Sequence, residues 1–599
     1  MEVEKTINRM FRQSTARFGG KAACRYKVAG AYQTISYAEL GERVENFGMG
    51  LMSLGFETES HGAILSSNRP EWAVADLAMA GAAGVVVPIY PTLVSAQIRY
   101  LLEESECLIV VVEDEDQLAK IRAIKDRLPT LRWVVVMNGE LGVREEWLLS
   151  FSEVTARGAA ARERLAGDYR QRAVDRRPDD LLSIIYTSGT TGVPKGVMLT
   201  HGNLMANIQA ALQVFDFCSR DEALSFLPLS HILERMAGYY LMLSVGVTIS
   251  YAESINTVPR NLVEVQPTVV VSVPRLYEKM YTRVLDSIAH APGIQRNLFN
   301  WAMSVGRRHY AAKTRGDVPP WLALRNRLAD LLVFTRIRAR LGGRLRFFIS
   351  GGAPLEPQIA EFFAACGVMI YEGYGLTETS PVTNVNRIGH VKFGTVGPTL
   401  PGVEVRIAED GEIMVRGPNV MKGYYKNPEE TAEAIDTNGW FATGDVGVVD
   451  ADGFLRITDR KKEIIVTSGG KNIAPQPLEN LFKTSRFISQ VMVVGDRRKY
   501  LAALIVPDFE NLRAWRAQQG MEEVDQGLMV RDPRVIGLVE DEVRRLQADL
   551  PRFEQIKRFH LLDKELSIDD GELTPTLKVR RNVIQKRYGQ VIERLFPRE

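Results

Sequence analysis

Short apolar runs rich in valine and isoleucine recur through roughly the first 400 residues, separated by stretches whose apolar positions return at helical spacing. The runs Gly84–Ile89, Cys107–Val112, Trp133–Met137, Leu181–Tyr186, Val247–Tyr251, Thr268–Val273 and Arg346–Ser350 are continuous rather than alternating, as in strands buried on both faces. Between them Tyr37–Leu54 and Ser95–Glu104 read as helices. This alternation predicts an α/β fold with largely parallel sheets. The longest apolar stretch, Leu77–Tyr90, is broken by Gly81, Gly84 and Pro88. It falls short of the roughly 20 residues a membrane span needs, so it predicts a buried helix running into a buried strand.

The texture changes from Gly402 to Thr458. Val403–Ala408 and Glu412–Arg416 flank Asp410-Gly411, and Val446–Val449 and Phe454–Ile457 flank Asp452-Gly453, which predicts two hairpins in a β-rich subregion. After Asp459 comes the charged segment Arg460-Lys461-Lys462-Glu463, then a small α+β pattern: strands at Gln490–Val494 and Leu501–Val506, and a helix at about Val535–Ala548. A large N-terminal domain, 1–459, and a small C-terminal one, 460–599, are expected on this pattern, and 599 residues are too many for one core.

One stretch departs from the rest. Residues 275–346 hold 15 Arg or Lys against 4 acids, with Trp301, Trp321 and Phe334 among them. Trp321, Leu324, Leu328, Leu331 and Leu332 recur at helical spacing, while Arg325, Arg336 and Arg340 fall on other faces. Both an interfacial membrane helix and the solvated basic face of an ordinary packed helix fit that pattern. The whole chain is otherwise balanced, with a net charge of +2, which argues against a nucleic-acid partner. Cys24, Cys107, Cys218 and Cys366 are scattered, without metal-ligand spacing, and Met1–Phe11, which mixes charges with single apolar residues, does not read as a secretory leader. A reducing, cytoplasmic setting is expected, and no oligomeric state is implied.

The chemistry begins at Tyr186-Thr187-Ser188-Gly189-Thr190-Thr191-Gly192-Val193-Pro194-Lys195-Gly196. A buried strand empties here into a loop of hydroxyls, glycines and a lysine, suited to hold a polyphosphate. Pro194 before Lys195 and Gly196 after it depart from the Walker arrangement, and Val197–Thr200 looks extended rather than helical. A plain Ser/Thr/Gly turn is the alternative.

Five further segments stand in order: Ser350-Gly351-Gly352-Ala353-Pro354-Leu355, Tyr371-Glu372-Gly373-Tyr374-Gly375-Leu376-Thr377-Glu378-Thr379, Trp440-Phe441-Ala442-Thr443-Gly444-Asp445, Asp459-Arg460-Lys461-Lys462 and Thr574-Pro575-Thr576-Leu577-Lys578. Taken singly, their acids, tyrosine and bases would read as solvated charge, turn formers or core. Together they resemble the adenylate-forming superfamily over nearly the whole chain. Within it, Gly469-Gly470-Lys471-Asn472-Ile473-Ala474-Pro475, the Thr574–Lys578 ending and the basic insert are most similar to long-chain fatty acyl-CoA synthetases.

That resemblance implies two steps: a fatty carboxylate attacks the α-phosphate of ATP, and coenzyme A then displaces AMP. It casts Thr187, Ser188, Gly189, Thr190, Thr191, Gly192 and Lys195 as the phosphate cradle and Glu378, with Thr187, as the Mg²⁺ site. It brings Thr377 to the α-phosphate and Tyr374 with Gly375 against adenine, opposite Gly352, Ala353 and Pro354. Asp445 would hold the ribose, Arg460 would add a cation there or at phosphate, and Lys578 would bridge carboxylate and α-phosphate. Lys462 takes the hinge position, and the Gly469-Gly470 loop would replace Lys578 for the second step. His231 either gates the pantetheine arm or is a core histidine. A carrier-protein-loading acyl-AMP ligase, or a medium-chain or aryl-acid CoA ligase, are the alternatives.

Overall fold

The computed structural model describes residues 4–138, 145–188, 194–468, 471–567, 570–574 and 579–596. Two eight-stranded sheets carry the large N-terminal part. One runs, edge to edge, Val382–Val385, Met369–Gly375, Phe347–Ser350, Val269–Ser272, Glu222–Ser225, Thr248–Tyr251, Ala22–Val28 and Ala31–Ser36. Its interior pairs are parallel, and only the two edge strands pair antiparallel. The other runs Gly423–Tyr424, Pro194–Thr200, Leu181–Ser188, Val85–Ile89, His61–Leu65, Ile109–Val112, Trp133–Val136 and Leu148–Ser150. There the first two pairings are antiparallel and the rest parallel. The expected α/β class is what the chain adopts.

Buried side chains of both sheets meet in one core, with Val86 and Val111 from one side and Ile249, Val271 and Phe347 from the other. Helix Pro70–Gly81 lies within it, buried at every position but Glu71. This is the apolar stretch whose glycines and proline broke it: the helix ends at Gly81 and strand Val85–Ile89 comes next. Helix Tyr37–Ser53 starts from a reciprocal cap, in which the Glu39 amide donates to Ser36 Oγ at 3.2 Å and the Ser36 amide to Glu39 Oε2 at 2.8 Å.

The β-rich subregion is a four-stranded antiparallel sheet, Glu404–Ile407, Glu412–Arg416, Phe441–Val449 and Leu455–Arg460. Its turns sit at the expected glycines, Gly411 with φ +85° and Gly453 with φ +83°. The last strand runs on through Arg460, and residues 461–463 form the turn after it. Beyond that turn, strands Ile488–Val494, Leu501–Pro507 and Ile556–Leu561 form a three-stranded sheet with a core of its own, which includes Val491, Leu504, Val539 and Ile584.

Candidate active site

Parallel strands Val269–Ser272, Phe347–Ser350 and Met369–Gly375 end together, and a cleft of about 720 Å³ opens at their carboxyl ends. Thr187, Lys195, His231, Gly352, Tyr374, Gly375, Thr377, Glu378, Arg460 and Lys462 all line it. The sequence-predicted residues therefore converge from segments far apart in the chain. Gly189, Thr190, Thr191, Gly192, Gly469, Gly470 and Lys578, and the side chain of Ser188, lie outside the described residues. Ala353 and Pro354 come directly after Gly352 but are not among the lining residues.

One end of the cleft is built on the hairpin of Leu181–Ser188 with Pro194–Thr200, whose register sets Thr187 opposite Lys195. Lys195 Nζ lies 2.7 Å from Glu430 Oε1 and 5.2 Å from the centre of the Tyr424 ring. The Tyr424 hydroxyl in turn donates to Glu378 Oε1 at 3.1 Å. Strand Gly423–Tyr424 pairs with Pro194–Thr200, and the Met421 amide donates to the Glu378 carbonyl at 2.8 Å, so backbone bonds on both sides fix this tyrosine. Burial pushes the Glu378 carboxyl above its ordinary range, against the opposing pull of its own backbone amide, Tyr424 and the Arg460 charge.

Asp445, 4% exposed, is also not among the lining residues but lies behind two that are, accepting from the Tyr374 hydroxyl at 2.6 Å and pairing with Arg460 Nε at 3.0 Å. Asp445 and Arg460 are direct partners across neighbouring strands, so their meeting is a matter of register. Two glycines are required, one by space and one by backbone conformation. A Cβ on Gly375 would stand 1.8 Å from the Pro381 carbonyl oxygen, and Gly352 takes φ +80°. Glu372, on the same strand as Tyr374, is buried and accepts from the Leu355 amide at 3.0 Å; burial pushes its carboxyl up to about 8.

His231 Nδ1 accepts from the Leu233 amide at 3.2 Å, and burial pulls its ring down to about 4, so it is neutral at neutral pH. After it the chain makes a wide turn at Glu234–Tyr240, where Gly238 leaves room for the Glu234 carboxyl. Lys461 is tied to Asp410 and to Glu412 Oε2, the latter at 2.9 Å, while Glu412 Oε1 accepts from the Gly444 amide at 2.8 Å. Among the described residues no cluster of three or more His, Cys, Asp or Glu side chains forms a metal cage. A cation here would need ligand oxygens as well as protein ones.

Among the lining residues not singled out from the sequence are Tyr424, Glu430 and Glu412. Glu430 sits in the first turn of the short helix Pro428–Ala434, its amide capped by Asn427 Oδ1 at 3.1 Å. Asn427-Pro428 announces that helix, but nothing local announces what it faces.

The chain matches the AMP-binding enzyme family over residues 11–425 and the AMP-binding enzyme C-terminal domain over residues 462–599. It is 37% identical to the long-chain-fatty-acid–CoA ligase FadD15 of Mycobacterium bovis, over 96% of this chain and 94% of the relative. It is 33% identical to the long-chain-fatty-acid–CoA ligase 6 of Homo sapiens, over 99% and 87%. Among solved structures, the anthranilate CoA ligase AuaEII in complex with anthranoyl-AMP has the same fold, with a TM-score of 0.74, 17% identity and 99% of each chain covered. So has the A-PCP didomain of a carboxylic acid reductase from Segniliparus rugosus in complex with AMP, with a TM-score of 0.76, 22% identity and 98% and 82% covered.

Proposed function

Because this chain belongs to the AMP-binding enzymes, we propose that it joins a long-chain fatty acid to coenzyme A by way of an acyl-adenylate, with AMP and pyrophosphate released. The observation that carries this reading is the polarity of the cleft. A cation and a carboxylate, Lys195 and Glu378, share one tyrosine in its wall, and a buried hydrogen-bonded carboxylate, Asp445, stands directly behind the lining residues Tyr374 and Arg460. Polyphosphate suits the first group and ribose hydroxyls the second.

In the first half-reaction the nucleophile is the substrate's own carboxylate, so the protein's task is to bring two anions together and shield their repulsion. Lys195, Thr187, Ser188 and the Gly189–Gly192 segment hold the β- and γ-phosphates. Thr377 meets the α-phosphate, and Tyr374 with Gly375 flanks adenine opposite Gly352, Ala353 and Pro354. Asp445 takes the ribose hydroxyls and Arg460 fixes Asp445. A divalent cation fits the donor set: Glu378 and the Thr187 hydroxyl leave positions for phosphate oxygens and water, the mixture Mg²⁺ favours. Mg²⁺ would supply neutralisation of phosphate charge.

Lys578, from the small domain, bridges carboxylate and α-phosphate, and its withdrawal by rotation at Lys462 frees the site for the thiol. The domains are 1–459 and 460–599, and after rotation the Gly469-Gly470 loop lines the thiol path. His231, neutral and at the cleft wall, borders the acyl group. The enzyme works in the cytoplasm, and its basic segment 275–346 meets anionic membrane. Coenzyme A-dependent AMP release, measured across carboxylic acids of increasing length, tests the reaction. Activity rising from short to long chains is expected. AMP release independent of coenzyme A, or confined to aryl or short acids, would contradict it.

A further inference from the structure

The segment 320–334 carries a row of large apolar side chains turned to solvent. In helix Pro320–Ala329 and the wide turn Asp330–Phe334, Trp321 is 54% exposed, Leu324 61%, Leu328 46%, Leu331 71% and Leu332 42%. The other side of the same segment is committed to the core, with Leu322, Ala329 and Phe334 at 5%, 0% and 1%. At about 100° per residue the five exposed side chains fall within a sector of about 100°, a continuous stripe rather than scattered singles.

The wide turn matters to the shape of this face. An extra residue in the turn shifts the phase of the residues after it by about 100°. That shift returns Phe334 to the buried side with Leu322 and Ala329, and it directs the exposed Arg336 and Arg340 along the line of the stripe. Arg325 lies with its guanidinium 5.4 Å from the Trp321 ring centre, and Arg327 is also exposed. From 320 to 346 the sequence holds seven arginines and one acid, Asp330. Asp330 is already paired with Arg338, at 3.0 Å between Oδ2 and Nη2. The face is therefore apolar along its middle, with arginine beside it and at its end, and no uncompensated negative charge from 320 to 346.

We propose that this face is an in-plane membrane anchor: Trp321, Leu324, Leu328, Leu331 and Leu332 sink between lipid headgroups while Arg325, Arg336 and Arg340 pair with anionic phosphates. The stripe is about 17 Å long at 1.5 Å per residue, too short to cross the roughly 30 Å hydrocarbon layer. Among the described residues no helix is long and apolar enough to cross a membrane. A tryptophan at one end, leucines along the middle and basic edges suit a helix lying at the headgroup boundary. A second copy of the chain suits the face less well, since twofold pairing would set two net-positive surfaces against each other. This deepens the location given above and names the inserting element; it does not depend on the chemistry in the cleft.

The test uses the full chain and phosphatidylcholine vesicles with and without phosphatidylglycerol, read by co-flotation. Alongside it, activity is measured on a soluble acid without vesicles, and sedimentation gives the mass. Two triple variants are compared, Leu324→Ser/Leu328→Ser/Leu331→Ser and Arg325→Glu/Arg336→Glu/Arg340→Glu. All six positions lie outside the buried core, so both variants should fold and keep vesicle-free activity within about twofold. Wild type should float only with phosphatidylglycerol present, and each variant should bind on the order of ten-fold more weakly. A leucine variant that floats like wild type, with only the arginine variant impaired, would overturn the anchor and leave a purely electrostatic contact. No flotation of wild type would overturn both the anchor and the membrane location, leaving the ligase reading untouched. A dimer that the leucine substitutions dissociate would assign the stripe to self-association instead.

Discussion

Tyr424 stands between two groups of opposite charge, its ring under Lys195 and its hydroxyl on Glu378. Tyr424→Phe keeps the ring and removes one hydrogen bond to a carboxylate, a change of about 1.5–3 kcal/mol. If Glu378 serves the phosphate end, the variant should lose on the order of ten-fold or more in kcat/KM for MgATP, with little change in melting temperature. Unchanged MgATP kinetics would mean that the tyrosine only packs. Glu234 makes a different prediction. It is buried, its Oε2 meets no hydrogen-bond partner among the described residues, and burial pushes its carboxyl from the ordinary 4.5 to about 8 against the pull of Ser225. Its folded-state pKa is raised, so the folded protein holds a proton that the unfolded chain releases above about pH 4.5. Stability from this group is full below that pH and is lost as pH rises to about 8. Glu234→Gln should flatten the fall in thermal stability between pH 6 and pH 8.5, by on the order of 1–3 kcal/mol. An unaltered pH dependence would contradict it. Glu378 and Asp445 could be singled out from the sequence because each sits inside a run of distinctive neighbours. Tyr424 and Glu430 could not, because their significance lies in contacts with Lys195 and Glu378, which are far from them in the chain.

Elements were legible where their signals are local. Continuous valine-rich runs became parallel strands with ends shifted by a residue or two, as at Cys107–Val112, observed as Ile109–Val112. The Asp-Gly pairs became turns because glycine supplies positive φ cheaply there. What escaped was strand Ile556–Leu561, whose sequence Ile-Lys-Arg-Phe-His-Leu has exposed basic residues in its middle and none of the continuous apolar character of its neighbour Leu501–Pro507. It is an edge strand held by parallel pairing, a contact that no local pattern encodes. The joining of the two hairpins through Glu412–Arg416 and Phe441–Val449 was missed for the same reason. Strand Met369–Gly375 offers a test at this scale. Gly375→Ala places a methyl group against the Pro381 carbonyl and must displace the turn at Thr377–Thr379. Nucleotide binding measured by calorimetry should weaken at least ten-fold, with the chain still folded. Full binding in Gly375→Ala would show that this turn has slack.

The C-terminal core follows the large N-terminal sheets across the turn at 461–463, and a second contact ties it to them away from that turn. Arg275, at the start of helix Pro274–Ala289, donates to the Ser489 carbonyl at 2.7 Å and to Ser489 Oγ at 2.8 Å; His290, after its end, meets Gln518 at 2.6 Å. These bonds tie the C-terminal part to helix Pro274–Ala289. Arg275→Ala should therefore speed limited proteolysis at the 461–463 turn several-fold without lowering the melting of either core, and equal cleavage rates would show the contact to be incidental. In the reaction proposed above, Lys578 is carried in and out of the cleft by the C-terminal part. This movement is tested most directly by assaying Lys578→Ala in each half-reaction separately. Pyrophosphate release from ATP and fatty acid should fall by roughly 10²–10³-fold, about 3–4 kcal/mol of barrier. Thioester formation from supplied acyl-adenylate and coenzyme A should stay near the wild-type rate. Equal loss in both half-reactions, or full adenylation by the variant, would contradict the account.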